Sequence, residues 1–331
     1  MEFINIPETD LQVSRIALGT WAIGGWMWGG TDEKQSIETI HTAIAKGVNL
    51  VDTAPVYGFG VSEEVVGKAI KSYGNREDIY IATKVALEWK DGKVFRNSTP
   101  ERIEKEIGDS LKRLQTDYID IYFVHWPDPL VPFEKTAQAM KKLFDDGIIR
   151  AIAVSNYSPE QMDRFRKEAP IHVCQPPYNL FERQIEGKEK DYCHQNGIAL
   201  MTYGALCRGL LSGKMSKNRK FEGDDLRKAD PKFQGERFDQ YLTAADQIGD
   251  MAGNKYGKDL LPAAVRWILD QGVEIAIWGG RTPEQMKPID EVTGWSISEE
   301  GKKTIDEILN RTIKDPVGPE FMAPPSRDSN A

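Results

Sequence analysis

Short apolar runs recur along this chain, and between them the apolar positions return every three or four residues. Five runs stand out: Val48–Val51, Ile79–Ala82, Tyr118–Val124, Ile148–Val154 and Ile198–Met201. Three weaker ones, Ile16–Leu18, His172–Cys174 and Ile275–Trp278, bring the number to eight. Runs apolar on both faces predict parallel strands covered by helices. The segments between them read as helices. From Asp32 to Lys46, Ile37, Ile40 and Ile44 share one face, and Gly47 suits the C-terminal cap. Thr99-Pro100 opens a helix with the stripe Ile103, Ile107, Leu111 and Leu114. Ser158-Pro159-Glu160-Gln161 is a capping box ahead of Met162 and Phe165, and Thr282-Pro283-Glu284-Gln285 repeats the device.

Alternating strands and helices close into a barrel or spread into a doubly wound sheet. Eight units of ~30 residues favour the (β/α)8 TIM barrel, whose active site lies at the C-terminal face. No GxGxxG comes after the first strand, which weakens the doubly wound reading. The stretch from about Leu211 to Gly257, rich in Gly, Lys and Asp, reads as an insertion before the last strand. With no linker or low-complexity stretch, residues 1–331 are expected to form a single domain.

Composition changes this picture little. A net charge of −8, with both signs interspersed, argues against nucleic acid or an anionic membrane as partner. Cys174, Cys193 and Cys207 match no metal or redox spacing and read as free thiols of a cytoplasmic protein. The start MEFINIPETD lacks the basic and apolar segments of a signal peptide. No stretch approaches the ~18 apolar residues of a membrane span. Four scattered histidines, at positions 41, 125, 172 and 194, suggest no metal site.

The polar residues at the strand ends are more informative. The runs end in Asp52, Lys84, His125, Ser155-Asn156, Gln175 and Tyr203, and a closed barrel gathers such positions at one mouth. Taken singly, each has a plain structural reading: a solvated lysine, a hydrogen-bonded histidine, an Asp52–Lys84 ion pair. Their coincidence at equivalent positions points to chemistry. Tyr57, in the loop VDTAPVYG, supplies a proton donor. Hydride delivered to a carbonyl carbon leaves charge on the oxygen, which must be protonated. A tyrosine is a poor acid near neutrality unless a cation lowers its pKa, so Lys84 is expected to do that, with Asp52 holding the lysine. Neutral His125 would orient or polarise the carbonyl.

The arrangement Asp52, Tyr57, Lys84, His125 resembles the catalytic tetrad of the aldo-keto reductase superfamily. The surrounding strings RIALGTWAIGG, VDTAPVYGFGVSEEVVGKAI, IATKVAL, SLKRLQTDYIDIYFVHWPDP and IRAIAVSNYSPEQM carry the likeness. So do QPPYNLFER, YGALCRGLLSGK and GGRTPEQ, and the likeness runs from about Arg15 to Trp295. The Trp-rich GTWAIGGWMWGG and the late DPVGPEFMAPP resemble a bacterial general-stress branch.

The resemblance implies NADPH-dependent reduction of aldehydes, and some ketones, to alcohols. It implies that Ser155, Asn156 and Gln175 hold the nicotinamide carboxamide and that Tyr203 stacks on the ring. Gly204, Ala205, Leu206, Cys207 and Arg208 would wrap the bridging phosphates, helped by Lys214 and Arg227. Gly19, Thr20, Trp21 and Asp52 would face the cofactor from the other side. Gly279, Gly280 and Arg281, before the helix start at Thr282, suit a 2′-phosphate. Gln285 stands where relatives are often basic, and Pro288-Ile289 where many have a Glu-Asn pair against adenine. Trp21, Trp26, Trp28, Trp89 and Trp126, with Tyr57, are expected to line an apolar substrate pocket. No metal is implied. The expected partner is a small carbonyl compound, and the expected state a monomer or weak homo-oligomer. Three other readings stay open: a Schiff-base aldolase using Lys84, a cofactor-sensing regulatory subunit, and a dehydrogenase oxidising sugars or polyols.

Overall fold

The computed structural model describes residues 1–327. A hairpin of β1 (Phe3–Asn5) and β2 (Gln12–Ser14) comes first. Next come β3 (Ile16–Gly19), α1 (Glu33–Ala45), β4 (Leu50–Asp52), α2 (Val61–Tyr73) and β5 (Tyr80–Val85). A second hairpin, β6 (Leu87–Lys90) and β7 (Lys93–Arg96), precedes α3 (Pro100–Leu114), β8 (Ile121–Val124), α4 (Phe133–Asp145), β9 (Ile152–Ser155) and α5 (Pro159–Phe165). The chain ends with β10 (Val173–Gln175), α6 (Glu189–Gln195), β11 (Ala199–Thr202), α7 (Gly235–Tyr256), α8 (Leu260–Asp270), β12 (Ile275–Gly279) and α9 (Glu299–Thr312). Strands β3, β4, β5, β8, β9, β10, β11 and β12 pair in parallel in that order and close on themselves. The eight apolar runs of the sequence are these eight strands.

Local signals account for the helix ends. Asp32 accepts a hydrogen bond from the Gln35 N–H at the start of α1, and Thr99 caps α3 ahead of Pro100. The capping box at Ser158 is formed. The one at Thr282 is formed too, but it opens a 3₁₀ segment, Pro283–Glu291, and not an α-helix. Pro288 has no N–H to give and its ring crowds the preceding turn. That segment packs against α1 and completes the outer ring.

The insertion before β12 is half ordered helix: α7 packs against α8 and α9. Two layers of core result. Ile81, Tyr122, Val154 and Leu200 point outward to the helices. Ala82, Phe123, Ala153 and Met201 fill the barrel, whose base is plugged by Ile6, Leu11 and Val13 from the β1–β2 hairpin. No helix among the described residues is long and apolar enough to cross a membrane.

Candidate active site at the barrel mouth

Side chains alternate across a strand with period two, and this parity builds the site. On β4, Leu50 fills the barrel and Val51 faces the helices, so Asp52 points inward. The same count runs from Ala82 to Lys84 on β5 and from Phe123 to His125 after β8. It runs from Ala153 to Ser155, from Val173 to Gln175 and from Met201 to Tyr203. Each candidate is thus the first inward position above the apolar filling of its own strand.

Lys84 is completely buried, and its ammonium donates to Asp52 Oδ1 at 2.7 Å, to the Thr53 carbonyl at 2.9 Å and to Tyr57 Oη at 3.1 Å. The other Asp52 oxygen accepts from Gln175 Nε2 at 2.9 Å. Tyr57 sits on a loop held backbone to backbone: a Cβ on Gly24 would lie 2.5 Å from the Tyr57 carbonyl group. The His125 ring stands edge-on to Tyr57, centroids 5.9 Å apart. Asn156, in the left-handed region at φ 61°, donates to the His125 carbonyl and to Ser155 Oγ and accepts from the Tyr203 hydroxyl. One amide thereby ties together the ends of β8, β9 and β11.

Burial, and then the charge of Lys84, hold the His125 imidazole well below its ordinary pKa, so the ring is neutral at pH 7. Burial lowers the Lys84 ammonium, while Asp52 and Glu63 oppose the shift. Tyr57 departs from expectation. Burial, and then the Asp52 carboxylate, push its phenol well above the ordinary value. In the resting site burial and the Asp52 carboxylate outweigh the opposing effect of the Lys84 ammonium, 3.1 Å from the hydroxyl. Tyr57 is therefore held as a protonated donor.

Two cavities meet over these residues, sharing Trp21, Tyr57, Tyr203 and Met322. The smaller, about 210 Å³, is lined by Trp21, Trp26, Trp126, His125, Ser155, Asn156 and Gln175. The larger, about 580 Å³, is lined by Gly19, Asp52, Gly204, Ala205, Leu206, Arg208, Lys214, Arg227, Gly279, Gly280, Arg281 and Gln285. Its donor set suits an elongated, phosphate-bearing ligand. Lys214 and Arg219 carry no ion pair among the described residues, and the indole N–H groups of Trp21 and Trp28 are buried without an acceptor. A nicotinamide dinucleotide fits that chemistry.

Several expected residues fall elsewhere. Thr20 lines neither cavity; its hydroxyl donates to the Asp52 carbonyl, and Ser62 lies beside it. Cys207 is buried in the helix-side core. The Arg208 guanidinium is committed to buried Glu182 and Asp230, so it braces the loop and does not stand free for a phosphate. Trp28 lines the larger cavity, not the smaller. Trp89 lines neither and packs on Phe59. At Thr282 the N–H groups expected to be open are taken, since Gln285 Oε1 accepts from both Arg281 N and Thr282 N. Arg281 also donates from its side chain to the Trp28 carbonyl, and Arg227 pairs with Asp225.

Sequence reasoning missed Arg219 and the late segment Phe321, Met322, Pro324 and Pro325, which walls the smaller cavity. A signal for the latter was present: apolar residues beside paired prolines, beyond the last α-helix, need cover but cannot continue a helix or fill an inner strand.

The barrel mouth thus joins a small compartment with largely apolar walls over Tyr57 and His125 to a longer one lined by cations. The chain belongs to the aldo/keto reductase family, whose sequence profile matches residues 15–310. It is 59% identical to the aldo-keto reductase YhdN of Bacillus subtilis (strain 168) over 329 residues, 99% of each chain. It is 34% identical to the NADH-specific methylglyoxal reductase of Escherichia coli (strain K12), covering 87% of this chain and 92% of that one. Among solved structures, the glycerol dehydrogenase AKR11B4 from Gluconobacter oxydans superposes with a TM-score of 0.88 at 50% identity, covering 97% of this chain and 99% of that one.

Proposed function

We propose that this chain reduces aldehydes, and some ketones, to alcohols with NADPH, acting as a single-domain cytoplasmic enzyme, monomeric or weakly self-associating. The observation that carries the reading is the Asp52–Lys84–Tyr57 hydrogen-bonded chain, with neutral His125 beside it, where the two cavities join. The bound cofactor supplies the hydride. The protein's part is to hold the carbonyl and deliver the proton. Lys84 donates to Tyr57 Oη, which occupies an oxygen lone pair and leaves the phenolic proton free to turn toward the cavity. A carbonyl oxygen accepting hydrogen bonds from Tyr57 and from a neutral His125 N–H has its developing negative charge stabilised by both. Transfer of the phenolic proton to that oxygen completes the alcohol. Lys84, kept cationic by Asp52, stabilises the tyrosinate left behind.

Ser155, Asn156 and Gln175 are assigned to the carboxamide, Tyr203 to the face of the ring, and Gly204, Ala205 and Leu206 of the following turn, which Arg208 braces, to the phosphates. Lys214 and Arg219, without an ion pair among the described residues, and Arg281 supply positive charge along the larger cavity, while Arg227 shares its charge with Asp225. That density of cations favours the cofactor with the additional phosphate. The apolar walls around Trp21, Trp26 and Trp126 suit alkyl and aryl aldehydes.

A second reading, oxidation of a polyol, is favoured by the likeness to a glycerol dehydrogenase. Initial rates at 340 nm separate these readings: aromatic aldehyde with NADPH or NADH in one direction, glycerol with NADP+ or NAD+ in the other. Multiple turnovers of aldehyde, faster with NADPH at equal concentration, are expected. Faster glycerol oxidation under all conditions would replace the proposal with the polyol reading. Cofactor binding without turnover of either would favour a sensor.

A further inference from the structure

The smaller cavity owes much of its outer wall to residues 321–325, a segment with an unusual holding problem. Pro324 and Pro325 have no N–H to donate, so their backbone offers the rest of the protein only acceptors. Between Gly318 and Arg327 the segment's own bonds are local: Met322 N to the Pro319 carbonyl and Ala323 N to the Glu320 carbonyl. A donor from elsewhere must fix it.

Arg96, at the end of β7, meets this need. Its backbone N–H donates to the Pro325 carbonyl at 3.0 Å and its Nε to the Pro324 carbonyl at 2.8 Å. Its Nη1 donates to the Pro127 carbonyl at 3.1 Å, and its guanidinium carbon lies 5.1 Å from the Trp126 ring centroid. One side chain therefore ties three segments that each give apolar lining: the β6–β7 hairpin through Leu87 and Val94, the loop after His125 through Trp126, and the tail through Phe321. Arg96 itself is absent from the lining. Arg327, bonded to Asn97 and 3.4 Å from the Asp128 carboxylate, anchors the far side of the same segment.

We propose that Arg96 is a positioning residue for substrate selectivity: it pins residues 321–325 over the carbonyl cavity and so sets its fit to bulky apolar aldehydes. A small aldehyde, held by Tyr57 and His125 alone, does not use that wall. A bulky one buries its ring against it. Only a planar fork of donors satisfies the Pro324 and Pro127 carbonyls together, so lysine is an incomplete substitute.

The test compares propanal with benzaldehyde in wild type, Arg96→Lys, Arg96→Ala, Phe321→Ala/Met322→Ala and the combination of the last two, all full length. It rests on the reductase reading, so amide hydrogen exchange of residues 318–327 is measured beside it. Arg96→Ala is expected to raise KM for benzaldehyde on the order of tenfold, about one decade of apolar contact. Its kcat for propanal should stay within about twofold of wild type, on that same contact accounting. Arg96→Lys should fall between, and the exchange of the tail amides should rise in Arg96→Ala. In the Phe321→Ala/Met322→Ala background the change at Arg96 should add almost nothing. Equal loss on both aldehydes, full additivity, or tail exchange unchanged from wild type would overturn the proposal. If the wild type reduces neither aldehyde, the reductase reading fails and the exchange measurement alone decides whether Arg96 pins the tail.

Discussion

The floor of this site and its walls are built by different means. The floor consists of strand-end residues: Asp52, Lys84, His125, Ser155, Gln175 and Tyr203. Their positions follow from the parallel ladder and the period-two alternation of each strand. The walls are loops, and each is held by a side chain reaching in from far away. Arg96 bonds to Pro324 across 228 residues of sequence, and Arg281 bonds to Trp28 across 253. Arg208 and Lys232 gather Glu182 and Asp230 into a buried charge cluster, and Lys232 also donates to the Gly318 carbonyl at the root of the tail. The floor has one geometry because the barrel has one register. The walls have one geometry only while a few long side chains stay in place.

The largest effect expected from breaking a wall is at Arg208. Its guanidinium and both carboxylates it meets are almost wholly buried, so Arg208→Ala leaves Glu182 and Asp230 with Lys232 as their one cationic partner among the described residues. Removing one partner from a buried ion cluster costs about 3–5 kcal/mol. A loss of that size in the denaturant midpoint, with weaker cofactor binding because the 204–209 turn is unbraced, is the expected outcome. A stability unchanged from wild type would show that the cluster does not hold the loop.

A smaller effect sharpens the view of the floor. The folded pKa of His125 lies well below the unfolded value near 6.5, through burial and then Lys84, and that of His172 is lowered chiefly by burial. Below about pH 6.5 the unfolded chain therefore takes up protons that the native barrel does not. Stability from these residues is fully present above pH 6.5 and falls as pH drops, by at most about 1.4 kcal/mol per unit for each histidine. Urea midpoints between pH 8 and 5 test this, with His125→Asn expected to flatten the slope. Turnover should show no acid break that belongs to His125; an acid limb near pH 6.5 that disappears in His125→Asn would contradict its neutral state.

This division also explains what was legible in the sequence. The strands announce themselves as apolar runs, and counting by twos from their apolar filling reaches Lys84 and Gln175 without any structure. Trp28 and Trp89 misled because a tryptophan in a mouth loop carries no mark of which cavity it faces. Arg208 misled because nothing local shows that Glu182 and Asp230 converge on it. Gln285 was placed at the phosphate end of the cleft, although the capping box read from the sequence already implies its bond to Thr282 N; the second bond, to Arg281 N, is what the box does not announce. The tail over the cavity escaped because its partner lies on a hairpin two-thirds of the chain away.

The central claim is that chemistry resides in the strand-borne floor and, within it, in the proton of Tyr57. Single-turnover oxidation of bound NADPH by an aromatic aldehyde, followed by stopped flow in wild type and Tyr57→Phe, tests it most directly. Tyr57→Phe is expected to bind NADPH as wild type does and to slow the turnover by about 10²–10⁴-fold, the usual worth of a positioned general acid. Turnover within a few-fold of wild type would contradict the claim, and would move the proton donor away from the Asp52–Lys84–Tyr57 chain altogether.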